Sequence, residues 1–174
     1  NKKGAISGGA NFDLGEMDEF VAITPEGQNL RIGSVKLAKG TDFALHSGKN
    51  LTVRDITGTS WTEKEGNKDV THAPEVTLDA AKRLRIRSAK DVNLTVMGEN
   101  IRLSKSSTIN ELGVLTGGDR PNLSKFSIAK GTTVGSLSVT KGNDTKEYNG
   151  FTASKKITQK NYAEYLKEKP GDNT

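Results

Sequence analysis

The chain has 174 residues, of which 32% are hydrophobic but only 5% are aromatic, so a single sizeable core must be built mainly from Val, Leu and Ile. The net charge of +5, from 26 Lys and Arg against 21 Asp and Glu, is small for a nucleic-acid protein, and the few aromatic rings also argue against base stacking. Without cysteine the chain has no disulfide framework, no thiolate metal site and no cysteine nucleophile.

Residues 1–20 are predicted to form an N-terminal arm or linker. Their first part contains a Gly-rich stretch at residues 7–10, and its large apolar side chains are Ile6, Phe12 and Leu14. Burial within so short a segment cannot offset the conformational entropy that is lost when the segment is ordered. We therefore expect a β domain over residues 21–155.

Apolar pairs recur with a period of eight residues between residues 35 and 109. The two members of each pair are two positions apart, so both point to the same face of a strand. The spacing predicts short strands joined by tight turns, with one interruption and one inserted residue before Ile101. The pairs are Val35 and Leu37, Phe43 and Leu45, Leu51 and Val53, Val76 and Leu78, Leu84 and Ile86, Val92 and Leu94, and Ile101 and Leu103, with Ile109 eight residues later.

The interruption, residues 57–74, is rich in charged and turn-forming residues, which predicts a long surface loop. Trp61, the only tryptophan, lies in this stretch. An aromatic ring in a polar loop serves as an interface anchor or a sugar-stacking platform, or else it folds back to fill the core. The sequence leaves these alternatives open.

Weaker apolar pairs after residue 109 predict further strands in a less regular order. They are Phe126 with Ile128 and Leu137 with Val139. Residues 156–174 are predicted to form a C-terminal helix of two to three turns and a tail. The apolar residues at helical spacing are Tyr162, Ala163, Tyr165 and Leu166, and the stop signal is Pro170 with Gly171.

These patterns predict an all-β fold with one short C-terminal helix. A short strand and a tight turn together take about eight residues, and two architectures meet that requirement. One is an octad-repeat β-solenoid, and the other is a meander or sandwich of short strands. The constant phase favours the solenoid, whereas the interruption at residues 57–74 favours the meander, so the sequence leaves both open.

The segments SVKLAKGTDFALHSGKNLTV and VTLDAAKRLRIRSAKDVNLTV resemble the octad repeats of the needle-like β-helix in phage tail spikes and valine-glycine-repeat secretion spikes. They are also similar to the coils of filamentous-haemagglutinin adhesins. The resemblance implies a rigid shaft or fibre segment, homotrimeric in the spike case, with no active site of its own. It leaves residues 57–74 and the terminal segments to make the specific contacts.

The sequence shows no arrangement of residues that is typical of a catalytic or metal site. His46 and His72 lack the partners of a triad or a ligand set, and both are expected at the surface. The acids at residues 16–19 are expected to form a solvated charged turn rather than a glycosidase pair. We therefore expect no enzyme activity, no cofactor and no metal site.

The strongest charged feature is a basic stripe. Arg83, Arg85 and Arg87 alternate with apolar residues and so share the strand face opposite the core, with Lys82 and Lys90 nearby. Such a stripe could bind an acidic partner surface, a sulfated or phosphorylated glycan, or a nucleic-acid backbone through charge-assisted hydrogen bonds. The alternative is an exposed sheet face that charge keeps soluble, or a strand edge that charge protects from aggregation.

Together these features predict a non-enzymatic structural or assembly protein of a phage particle or a secreted surface assembly, located on a virion or at the extracellular surface. The expected partners are further copies of the chain, in a homo-oligomer, and other assembly subunits. The alternative is a glycan- or protein-binding module that uses Trp61, Arg83, Arg85, Arg87 and Lys90. A nucleic-acid partner is not expected, and the short apolar runs predict no membrane span, which would need about 20 residues.

Overall fold

The computed structural model describes residues 12–14, 19–116, 125–141 and 144–169. The predicted fold class, all-β with one short helix, is confirmed in these ranges. The strands are β1 Phe12–Leu14, β2 Glu19–Ile23, β3 Leu30–Leu37, β4 Asp42–Ser47, β5 Leu51–Thr57, β6 Trp61–Glu65, β7 Lys68–His72, β8 Glu75–Ala80, β9 Arg83–Met97, β10 Asn100–Leu103, β11 Thr108–Thr116, β12 Lys125–Ile128, β13 Thr133–Lys141, β14 Asp144–Thr152 and β15 Ile157–Thr158, and the helix is α1 Tyr162–Tyr165.

Most of the strands pair in parallel, and their buried side chains form ladders that we name A, B and C. Ladder A aligns Leu30, Leu51, Leu84, Ile101 and Phe126 from β3, β5, β9, β10 and β12. Ladder B aligns Ala22, Leu45, Leu78, Val96, Val114 and Val139 from β2, β4, β8, β9, β11 and β13. Ladder C aligns Val35, Ile56 and Ala89 from β3, β5 and β9. All of these residues belong to one hydrophobic core.

The long strand β9 contributes to all three ladders because it bends along its length. Its first residues pair with β5 and β10, whereas its last residues pair with β8 and β11. Buried and more exposed positions alternate from Arg83 to Arg87, but the alternation slips at Ser88 and again at Asp91. Asp91 has a φ of 57°, which marks the second bend. These bends carry the chain from one ladder to the next.

The prediction of the core from the eight-residue period is confirmed, since every apolar residue of the octad pairs is buried. Residues eight apart lie on different ladders, however: Phe43 pairs with Val76, and Leu51 pairs with Leu84. In the described residues, antiparallel pairs are confined to β6 with β7, β12 with β15, and β13 with β14, besides one isolated bridge. A meander requires antiparallel neighbours throughout, so it does not describe the ladders.

The stretch at residues 57–74 lies on the surface, as predicted, but the prediction of a loop is wrong. β6 and β7 form an antiparallel hairpin in a sheet of their own, with Trp61 opposite His72. Gly66 takes a φ of 67° at the turn, a conformation that glycine adopts without strain. The apolar period is absent because the hairpin side chains are exposed or half-buried and contribute nothing to the core.

The prediction of an arm or linker over residues 1–20 is wrong where the structure describes that segment. β1 pairs in parallel with β3, and β2, which begins at Glu19, pairs in parallel with β4. Local composition could not reveal these strands because their partners lie far along the chain. Residues 1–11 and 15–18 lie outside the described residues. The second of these ranges contains Glu16 and Asp18, two acids of the predicted charged turn.

The C-terminal helix is also shorter than predicted, since α1 spans a single turn. The backbone becomes extended at Leu166, and the N–H of Asn149 in β14 then donates to the carbonyl of Lys167. Strand-like pairing with β14 thus replaces the further helical turns. β15 likewise lies in the segment that was predicted as helix and tail. The predicted stop at residues 170–171 lies outside the described residues.

In the described part of the chain, no helix is long and apolar enough to cross a membrane.

Candidate functional site

The outer face of ladder A carries a concentration of basic side chains. Side chains alternate between the two faces of a strand, so the residue that separates the two members of each buried apolar pair points outward. Arg85 of β9 lies beside Arg102 of β10, and Arg83 lies beside Asn100, which in turn lies beside Lys125 of β12. Strand pairing therefore brings together cations that are far apart in the sequence.

Two adjoining depressions follow this face, and Asn100 and Lys125 line both of them. One has a volume of about 370 Å³ and the other of about 430 Å³. Glu99 is the one carboxylate among the described residues that line them. We call this surface the basic groove, and its cations are Lys49, Lys82, Arg83, Arg85, Arg102, Lys125, Lys156 and Lys160.

Arg85 is a partly buried cation of the basic groove. The residue is half-buried, and its Nη1 donates to Oδ1 of Asn100 over 3.3 Å. Partial burial, together with the nearby charges of Arg102 and Arg83, lowers the pKa of Arg85 below its ordinary value. Within the described ranges none of these three arginines forms an ion pair with a carboxylate. The groove therefore has a surplus of positive charge at its centre.

The structure divides the predicted basic stripe. Arg83 and Arg85 lie in the basic groove, but Arg87 does not line it. Nη1 of Arg87 lies 3.7 Å from Oδ2 of Asp55, and this same oxygen lies 3.8 Å from Nε of Arg54. Arg87 keeps the alternation with buried residues that Arg83 and Arg85 follow along β9, but it lies outside the basic groove and a carboxylate on the neighbouring strand partly neutralises it.

Lys90 is also separated from the groove. It pairs in register with Thr57 of β5 and Thr108 of β11, beyond the first slip of β9, so it belongs to the continuation of ladder C. It lines neither depression. Lys90, which was expected near the basic stripe, is thus separated from the groove because the burial pattern of β9 slips between Arg87 and Lys90.

Sequence reasoning missed most cations of the groove. Arg102 stands between Ile101 and Leu103, in the same position of an octad pair as Arg85, so the period contained a signal for it. Lys125, Lys156 and Lys160 follow no repeat, and only the folded chain brings them to ladder A.

Trp61 lies on the hairpin, outside both depressions. Its ring stacks on His72, with centroids 5.5 Å apart, and Nζ of Lys39 lies 5.3 Å from the centre of the ring. Its Nε1 donates to Oε1 of Glu63 over 3.1 Å. Trp61 is half-buried and is not part of the core, so the predicted alternative of a ring that fills the core is wrong.

The two histidines occupy separate sites. Nδ1 of His46 lies 3.1 Å from Oδ2 of Asp79 on the outer face of ladder B, and His72 lies on the hairpin within 3.5 Å of Oε1 of Glu65. Nε2 of His72 is buried and, despite its distance to Glu65, has no partner with hydrogen-bond geometry among the described residues. No group of three His, Asp or Glu side chains suited to a metal ion occurs in the described residues.

The outer face of ladder B contrasts with the basic groove in charge. A depression of about 250 Å³ there is lined by Glu75, Glu111 and Glu147, with Lys169 as the one cation among its described lining residues. The two faces therefore differ in the charge that they would attract.

Comparisons with protein-family models, with curated proteins and with solved structures gave no match. The resemblance to spike and adhesin repeats therefore stays a prediction.

Proposed function

We propose that this chain is a non-enzymatic structural module of a secreted surface assembly or phage particle, in which the ladders are the stacked turns of a short β-solenoid. The observation that carries the proposal is the parallel register, in which Leu45, Leu78 and Val96 lie side by side although they are far apart in sequence. Stacked turns bury a continuous core with each turn contacting its neighbours, which makes a rigid rod.

The two ends of the stack differ, and this difference supports a role in assembly. At one end, β14 and β15 pair antiparallel with ladders B and A, and α1 packs nearby, with Tyr162 in the core. At the other end, β2 pairs only with β4 among the described strands, and its Val21 and Ile23 are 47% and 60% exposed. An edge strand with apolar side chains can pair with a strand of another chain. We propose that copies of the chain associate through the β2 end.

Sedimentation over a range of protein concentrations tests this proposal. The wild-type chain should self-associate as its concentration rises, and Val21→Lys/Ile23→Lys should sediment as a monomer because charge at an edge opposes strand pairing. Thr145→Lys/Asn149→Lys adds the same charge to exposed positions of β14 and should behave as the wild type. A wild-type chain that stays monomeric at every concentration would contradict the proposal.

A second candidate function is a binding module for an acidic partner, favoured by the surplus of positive charge in the basic groove. It is compatible with the structural role, because the groove lies on a side of the stack and the β2 edge lies at one end.

A further inference from the structure

The basic groove is elongated across the strands rather than along one strand. Its central cations come from three neighbouring strands, with Arg83 and Arg85 on β9, Arg102 on β10 and Lys125 on β12. Neighbouring strands lie about 4.8 Å apart, so positive charges recur at roughly that interval across the face. A ligand that uses all of them must be elongated and must carry closely spaced negative charges.

The remaining polar groups of the groove suit a hydroxylated ligand. The depression that contains Arg85 is also lined by neutral polar side chains, namely Asn100, Ser127, Thr158 and Gln159. Neutral side chains of these types donate to and accept from hydroxyl groups. A sugar chain presents hydroxyl groups between its charged groups, so it can use both sets of contacts.

The described lining residues of the groove offer no surface on which nucleic-acid bases could stack. The one aromatic residue among its described lining residues is Phe126, which is only 2% exposed. Proteins that bind single strands without base pairing combine cations with exposed aromatic rings. The groove has the cations alone, which favours a polysaccharide over a nucleic acid.

We propose that the basic groove binds a linear sulfated polysaccharide, which lies across β9, β10 and β12 with its sulfate groups on Arg83, Arg85, Arg102 and Lys125. Guanidinium groups bind oxyanions through charge-assisted hydrogen bonds, often with two bonds in parallel. Bound sulfate would also relieve the repulsion between Arg85 and its arginine neighbours. The acidic depression on ladder B would repel the same ligand, so binding is confined to one side of the stack.

Binding of heparin fragments, measured by titration calorimetry at about 0.15 M salt, tests this proposal. Arg85→Glu/Arg102→Glu should weaken binding by about tenfold or more, since each lost charge-assisted bond is worth roughly that factor. Lys36→Glu/Lys90→Glu is the matched control, because it changes the net charge equally at exposed positions outside the groove. The control should bind within about threefold of the wild type, since distant surface charges are largely screened.

Four further measurements make the result specific. Desulfated heparin should bind much more weakly than heparin, and a single-stranded DNA of equal charge should bind no better than the desulfated chain. Arg85→Gln/Arg102→Gln adds no negative charge and should also weaken heparin binding. It replaces the Glu variant in the test if that variant does not fold. Sedimentation of these variants should match the wild type, so that a failure of the binding proposal is distinguished from a failure of the proposed self-association.

Several outcomes would overturn the proposal. Equal weakening by the groove variant and the Lys36/Lys90 control would show that only net charge attracts the ligand. Tighter binding of DNA, lost in the groove variant, would assign the groove to nucleic acid. An absence of heparin binding by the wild-type chain would also refute it.

Discussion

The side chain of Asn50 accepts a hydrogen bond, through Oδ1, from the backbone N–H of Arg83, which lies 33 residues further along the chain. Its own backbone N–H donates over 3.2 Å to Oδ1 of Asn29. The two asparagines thus connect the turns that lead into β3, β5 and β9, at the edge of ladder A. Each side-chain oxygen accepts from a backbone donor of the next turn, at the start of a strand.

We predict that Asn50→Ala lowers the free energy of unfolding by about 1 kcal/mol, the usual net value of a hydrogen bond of this kind. Asn50→Asp keeps an acceptor oxygen at the same position and should stay close to the wild type. Urea denaturation of both variants measures the difference. Equal stability of Asn50→Ala and the wild type would show that the bond to Arg83 contributes nothing.

Close stacking of the turns leads to a second prediction, at Gly48. A Cβ atom on Gly48 would overlap the backbone carbonyl of Pro25, which belongs to the preceding turn. Gly48→Ala should therefore cost about 3 kcal/mol, since backbone must move to make room. At Gly98 the nearest atoms to an added Cβ lie at 3.4 Å, an ordinary contact, so Gly98→Ala is the control and should cost less than about 1 kcal/mol. Similar melting temperatures for the two variants would contradict the stacking.

The hairpin of β6 and β7 should be dispensable for the fold. It forms its own sheet, and the flanking strands pair without it, as Thr57 does with Lys90 and Glu75 with Asn93. Replacing residues 61–72 by a short Gly-Ser linker should lower the melting temperature by only roughly 2–4 °C. Leu78→Ala, in the fully buried core, should instead cost about 2–5 kcal/mol. Unfolding of the deletion variant would show that the hairpin supports the core.

Tyr148 should make the fold sensitive to alkaline pH. Burial, with smaller contributions from Tyr162 and Glu168, raises the pKa of Tyr148 above 10.0. Tyr148 therefore ionises at a lower pH in the unfolded chain, near its ordinary pKa of about 10, than in the folded chain. The stability that this difference contributes is fully present below about pH 10 and is lost as the pH rises through the folded pKa. Tyr148→Phe should reduce the fall in melting temperature between about pH 9 and pH 11.

Tyr165 provides a control of opposite sign. The Tyr165 oxygen accepts hydrogen bonds from the side chain and the backbone N–H of Ser154, which favour the ionised form and lower the pKa of Tyr165, so the folded chain ionises first and this group favours folding as the pH rises. Tyr165→Phe should make the alkaline fall in melting temperature steeper. The same change in both variants would show that the two hydroxyl groups have no separate effect.

The sequence predicted the core well because burial leaves a local signal. Val35 and Leu37, and each later octad pair, alternate with polar residues in the way that a half-buried strand requires. The partner of each strand has no local signal: nothing near Leu51 indicates that it pairs with Leu84 rather than with Phe43.

The candidate site could be predicted only in part for the same reason. The sequence shows Arg83 and Arg85 as neighbours on one strand, but the ion pair between Arg87 and Asp55 depends on the register between β9 and β5. The C-terminal helix was overestimated because helical spacing is a weak preference, and pairing of the chain near Lys167 with β14 overrides it.

The parallel register is the central claim, and disulfide cross-linking tests it most directly. The chain has no cysteine, so Thr77→Cys/Thr95→Cys introduces the only thiols. Thr77 and Thr95 pair in register on β8 and β9, within the Cα separation that a disulfide spans. This variant should cross-link on mild oxidation. If β8 and β9 instead formed a hairpin, Thr77 would face Ile86. Cross-linking of Thr77→Cys/Ile86→Cys, with none in Thr77→Cys/Thr95→Cys, would contradict the account.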